Sequence, residues 1–166
     1  GSGALGSGTV GATQLADNGV TVAKLADEFV GEEAGLGILR VARAVFDPSA
    51  NAGERTIGAH GLGVTIPDDA IICGGFIDVV TTFQSAGADA GTIAIHAQSA
   101  DDIRAAVAIS SGTSWDAGLK AIVPKANTPE STGIKLTAAR ELTATVAEQN
   151  LMAGKAEIFV FYLQSS

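Results

Sequence analysis

The chain has 166 residues, 46% apolar and 17% charged, with 18 acidic against 10 basic groups and a formal net charge of −8. That balance excludes direct binding of DNA or RNA, which needs Lys and Arg to displace phosphate counterions. No apolar run approaches the ~18 residues of a membrane span, so neither nucleic acid nor membrane is an expected partner.

The first thirty residues repeat every ten. Leu5, Leu15 and Leu25 recur at one phase and Val10, Val20 and Val30 at another, and Gln14-Leu15-Ala16-Asp17 matches Lys24-Leu25-Ala26-Asp27. Residues 1–37 therefore read as an extended N-terminal arm containing short helical turns. Thr13 and Thr21 are candidate starts of such turns and Gly19 a candidate end. Each turn is too short to be stable alone. A plain linker has no need of regular spacing, so the six Leu and Val positions are the expected partner-docking residues, each placed in an apolar pocket of another chain. Gly31-Glu32-Glu33-Ala34-Gly35-Leu36-Gly37 reads as a hinge.

Residues 38–166 read as an all-β domain. Ile38–Phe46 alternates, with Leu39, Val41 and Val45 expected on one face. Asp47–Gly53 is a loop by its turn residues, Thr56–Ile66 a strand or strand pair, and Pro67-Asp68-Asp69 a turn. Ala70–Phe83 is rich in β-formers, and Gly74-Gly75 in its middle suggests a bulge. A strand is expected at Thr92–Gln98. Over Ala100–Ile109 the pattern is ambiguous, and Ser99 before Asp101-Asp102 suits a short capped helix. Further strands are expected at Leu119–Val123 and at Thr137–Val146, where Leu142, Ala144 and Val146 face one way. Asn150–Lys155 should turn the chain into a closing strand, Ala156–Leu163. That strand is apolar at both phases and so belongs at the centre of a sheet. Seven or eight short strands between Gly, Pro and Asp loops make a β-sandwich the expected fold, with a jelly-roll-like topology.

The chemistry-bearing residues do not assemble into a motif. His60 and His96 lack further ligands at metal spacing. The pairs Asp68-Asp69 and Asp101-Asp102 suit solvated or capping roles better than a calcium loop, which alternates oxygen ligands with a glycine. Ser110-Ser111-Gly112-Thr113-Ser114 contains no nucleophile elbow, and the glycines form neither a phosphate loop nor a dinucleotide fingerprint. Trp115 reads as a core anchor rather than a sugar platform. Cys73 reads as a small buried hydrophobe, and one cysteine excludes an intrachain disulfide. Gly1-Ser2-Gly3 has no secretory-leader character. No enzyme activity, cofactor or metal is expected.

Thr13–Asp27, Arg40–Phe46, Ile57–Pro67, Trp115–Leu119 and Leu151–Val160 together resemble segments of tailed-bacteriophage virion structural proteins. The resemblance spans most of the chain and carries no chemistry. It implies a capsid decoration (cement) protein or a head or tail fibre, found in the virion as a symmetric oligomer, often a trimer. The expected function is a decoration protein on the outer capsid surface. Its arm would dock on the major capsid protein and its sandwich would self-associate, so that the shell is stabilised. The alternative is a fibre or tail-attachment protein with an N-terminal anchor and a β-sandwich knob. A third possibility is a glycan-binding sandwich using Trp115.

Overall fold

The computed structural model describes residues 39–124 and 133–164. They form β1 (Arg40–Phe46), a 3-10 turn (Ala52–Arg55), β2 (Gly58–Ile66), β3 (Ala70–Ser85), β4 (Thr92–His96), β5 (Arg104–Ala108), β6 (Gly118–Ile122), β7 (Ile134–Lys135), β8 (Arg140–Ala147) and β9 (Leu151–Gln164). Two antiparallel sheets result. One has the order β1-β9-β3-β6, with β7 also paired to β3, and the other the order β2-β8-β4-β5. The all-β sandwich expected from the strand pattern is the fold that forms.

The inner faces are apolar because alternate residues of each strand point the same way. On β8 these are Leu142, Ala144 and Val146, and on β9 Ala156, Ile158 and Val160, all buried. Three rings pack in a row in the core. Phe46 stacks on Phe83 at 5.7 Å between centroids, and Phe83 meets Trp115 edge-on at 5.4 Å. Each such side chain contributes about 1.5–3 kcal/mol by leaving water. The Trp115 indole N–H also donates to the Val107 carbonyl at 3.2 Å, so its polar atom is satisfied inside the core.

Four local points go beyond or against the strand pattern. First, Leu39, Val41 and Val45 share a face as expected, and in β1 that face is the outer one: Ala42, Ala44 and Phe46 are buried, whereas Leu39 and Val41 are exposed and Val45 is half-buried. Both phases of this strand carry apolar groups, and the one ending in Phe46 supplies the ring that fills the space against Phe83. Second, no helix follows Ser99. Asp102 is buried and accepts the backbone N–H groups of Ala97, Gln98 and Ser99 at 2.9, 2.8 and 2.8 Å. This folds the chain into a tight loop and releases Arg104–Ala108 as strand β5. The same loop ends β4 at His96. Third, the final reversal is shorter than Asn150–Lys155. Glu148 adopts a positive φ of 64°, Gln149 N–H donates to the Ala147 carbonyl at 2.7 Å, and β9 begins at Leu151. Fourth, Cys73 is exposed.

The last correction follows from the bulge anticipated at Gly74-Gly75. The pairing of β3 with β9 shifts between Ile72 and Gly74, so Ile72 stays buried while Cys73 turns outward, its thiol donating to the Phe161 carbonyl at 3.5 Å. Gly75 sits at φ 150°, and a β-carbon there would meet the backbone carbonyl of Phe159.

Candidate functional site

The six arm residues singled out by spacing, Leu5, Val10, Leu15, Val20, Leu25 and Val30, lie outside the described residues. The chemistry-bearing residues of the sandwich are described, and most serve its architecture. The His60 ring stacks against Phe46 at 6.3 Å between centroids, and its Nε2 lies 2.7 Å from the Thr56 carbonyl. His96 lies on β4, opposite Thr143. Asp68 accepts the Asp69 N–H at 2.8 Å, and Asp69 pairs with Lys135 at 3.1 Å. Asp101 takes a positive φ of 65° and accepts the Ala106 N–H at 3.2 Å. The second acidic pair is thus a loop scaffold, and its buried member is not the solvated or helix-capping group expected. Among the described residues no three His, Cys, Asp or Glu side chains converge as a metal site would require. Trp115 is 1% exposed and presents no face to a sugar.

What the fold does build is a surface. Residues opposite one another in register share a face. On the outer face of the β1-β9-β3-β6 sheet, one row runs Val41, Phe161, Gly74. The next runs Arg43, Phe159, Phe76, Ala121, and a third Val45, Glu157, Asp78, Leu119. The Phe76 ring lies 4.8 Å from that of Phe159 and 5.6 Å from that of Phe161. Val41 at the β1 edge is 54% exposed and Leu119 at the β6 edge 66%. The centre of this face is therefore aromatic, and both of its edges carry open aliphatic groups. The outer face of the other sheet is small and polar by contrast, with rows Ala59, Thr145, Ala94 and Gly61, Thr143, His96.

A charged cluster borders the aromatic rows. Arg43 donates from Nη2 and Nε to the two carboxylate oxygens of Glu157 at 2.7 and 3.1 Å, and its guanidinium lies 6.0 Å from the Phe159 ring centre. The Arg43 hydrogen bonds hold the Glu157 carboxyl below its ordinary range and raise the guanidinium in turn. Nearby, Lys155 reaches Asp47 at 3.0 Å. Burial pushes the Asp47 carboxyl up, but the hydrogen bonds from Lys155 and from the Ala50 and Ser49 amides, together with the Lys155 charge, outweigh it and leave it lowered.

The open side of the sandwich holds a second feature. Between the edge strands β5 and β6 lies a cleft of about 240 Å³ lined by Asp101, Ile103, Arg104, Ala105, Val107, Ala121 and Val123. The Arg104 guanidinium stands 5.4 Å from the Trp115 ring centre, with Nη2 3.5 Å from the Ser114 carbonyl. Burial pushes this cation's pKa down. Sequence reasoning singled out neither surface. The signal for the first was present in β9, which is apolar at both phases. The signal for the second was one arginine inside the otherwise apolar run Ile103–Ile109.

No protein-family model matches the sequence, and no curated protein matches it. Three solved structures share the fold. One is a chain of the acid-stable capsid of Helicobacter pylori bacteriophage KHP30, with 14% identity over 79% of this chain and 92% of that one, at a TM-score of 0.53. Another is a chain of the cyanophage Pam1 capsid asymmetric unit, with 12% identity over 80% of this chain and 89% of that one, at 0.57. A third belongs to the capsid of Ralstonia phage GP4, with 16% identity over 80% of this chain and 88% of that one, at 0.53.

Proposed function

We propose that this chain is a structural virion protein of a tailed bacteriophage, of the capsid decoration or cement type. The observation that carries the reading is the sandwich it shares with chains of three phage capsids across most of their length. The strand order supports it. With the two-residue β7 set aside, the interleaving of the sheets is that of an eight-stranded jelly roll, whose first and last long strands pair in one sheet. The apolar outer face over Phe76, Phe159 and Phe161 favours a life against other protein rather than in dilute solution.

In this reading the sandwich sits on the outer capsid surface as a homo-oligomer, a trimer being the symmetry the resemblance implies. The arm, through Leu5, Val10, Leu15, Val20, Leu25 and Val30, docks on the major capsid protein and runs across neighbouring coat subunits. Several weak contacts on one tether act at high effective concentration, so load from internal pressure is spread across capsomer boundaries. The role is non-enzymatic and uses no cofactor.

Deletion of residues 1–30 tests it. The truncated sandwich should fold and fail to bind undecorated particles. Normal particle binding without the arm overturns the docking role. Copy number separates decoration from the fibre alternative: hundreds per virion for the former, a few to dozens for the latter.

A further inference from the structure

Arg104 stands apart from the ion-paired charges of the sandwich. It is half-buried in the cleft between β5 and β6, and its cation is desolvated. Its contacts are the Ser114 carbonyl and the Trp115 ring, and among the described residues no carboxylate pairs with it. Asp101 also lines the cleft but receives the Ala106 amide. Beside Arg104 the wall is aliphatic, with Val107 half-buried and Val123 64% exposed. An aliphatic wall next to an unpaired cation is complementary to a segment carrying an aliphatic side chain and a carboxylate on one face. Docked as extended backbone rather than as the short helical turn read for the free arm, such a segment would place residues two apart on one face, about 7 Å apart. The arm carries that pattern twice, as Leu15-Ala16-Asp17 and Leu25-Ala26-Asp27.

The tether bounds how far the segment can reach. The described chain begins at Leu39, just before β1, and β1 and β6 are opposite edges of one sheet. From Asp27 to Leu39 the chain can span up to about 40 Å. A head-to-tail neighbour would bring the β1 edge of one copy beside the β5–β6 cleft of the next, the kind of interface that closes into a ring. The shorter tether gives the repeat at Leu25 the higher effective concentration.

We infer that the β5–β6 cleft binds the Leu25-Ala26-Asp27 segment of a neighbouring copy, with Leu25 against Val107 and Val123 and the Asp27 carboxylate on the Arg104 guanidinium. The more distal repeats are left for the shell. This rests on the reading of the arm as a docking element and adds its partner within the oligomer.

The experiment uses full-length chains in a Cys73→Ser background. One carries Leu25→Cys and the other Val107→Cys, and they are mixed under mild oxidation. A disulfide-linked heterodimer is expected, at least tenfold above a Leu25→Cys and Ser111→Cys control. No excess over the control overturns the proposal. So does a doubly substituted chain that cross-links only to itself when diluted into unsubstituted protein, because the segment then docks on its own copy. In parallel, Arg104→Glu should weaken self-association tenfold or more, and adding Asp27→Arg should restore it. Unchanged association of the folded Arg104→Glu chain also overturns the proposal. Particle binding by the same proteins separates the two readings. If cross-links fail while deletion of residues 1–30 still abolishes particle binding, only the cleft assignment falls.

Discussion

The Trp115 ring stands edge-on to Phe83 with centroids 5.4 Å apart, and this contact ties the loop before β6 to the inner face of β3. The Phe83 N–H donates to the Trp115 carbonyl at 3.0 Å, so backbone and ring hold the same junction. Trp115→Ala would remove the ring, strand the Val107 carbonyl and uncover Arg104. A loss of about 3–5 kcal/mol is expected for such a truncation. Urea unfolding should show it as a lower midpoint with an unchanged slope.

The two adjacent glycines of β3 should behave oppositely. Gly75→Ala forces a side chain into a positive-φ conformation and against the Phe159 carbonyl, and should cost about 2 kcal/mol or more. At Gly74 an added β-carbon meets open space. Gly74→Ala should be neutral or stabilising by up to about 1 kcal/mol. Thermal melts of the two variants side by side check the contrast, and equal effects would refute it.

Asp102→Ala leaves three backbone N–H groups without their acceptor in a buried loop. A cost of about 3 kcal/mol is expected, since hydrogen bonds to a charged group are the stronger kind. Hydrogen exchange should quicken first at the Ala97, Gln98 and Ser99 amides. Protection unchanged at those three would remove the loop-scaffold assignment.

Acidification should weaken the fold through Glu157 and Asp47. Both carboxyls lie below their ordinary range in the folded chain. Their contribution is therefore present above the unfolded value of about 4 and is lost as pH falls through the lowered folded values. The Glu157 pair is solvent-exposed, so its effect is small. Unfolding midpoints at pH 7 and pH 3 should converge slightly in a chain carrying Arg43→Gln and Lys155→Met. An undiminished acid-induced drop in that variant would place the pH sensitivity elsewhere.

Much of the sandwich was legible because its signals are local. Pro67-Asp68-Asp69 turns the chain between β2 and β3, the glycine pair marks the register shift in β3, and Leu142, Ala144 and Val146 form one buried face of β8. The surfaces were less legible. Arg104 lines a cleft only because β5 and β6, adjacent in sequence but in different sheets, end as edges on the same open side.

The sequence by itself determined that the domain is all-β and roughly where its strands and turns fall, because alternation and turn residues are properties of short stretches. The tertiary structure alone decided which phase of β1 is buried, that Asp102 organises a loop where a helix start was expected, that Cys73 turns outward past a bulge, and that the second apolar phase of β9 forms an aromatic outer face. In each case the local pattern allows two answers, and the choice is made by strands and amides distant in sequence that compete for the same space and the same hydrogen bonds.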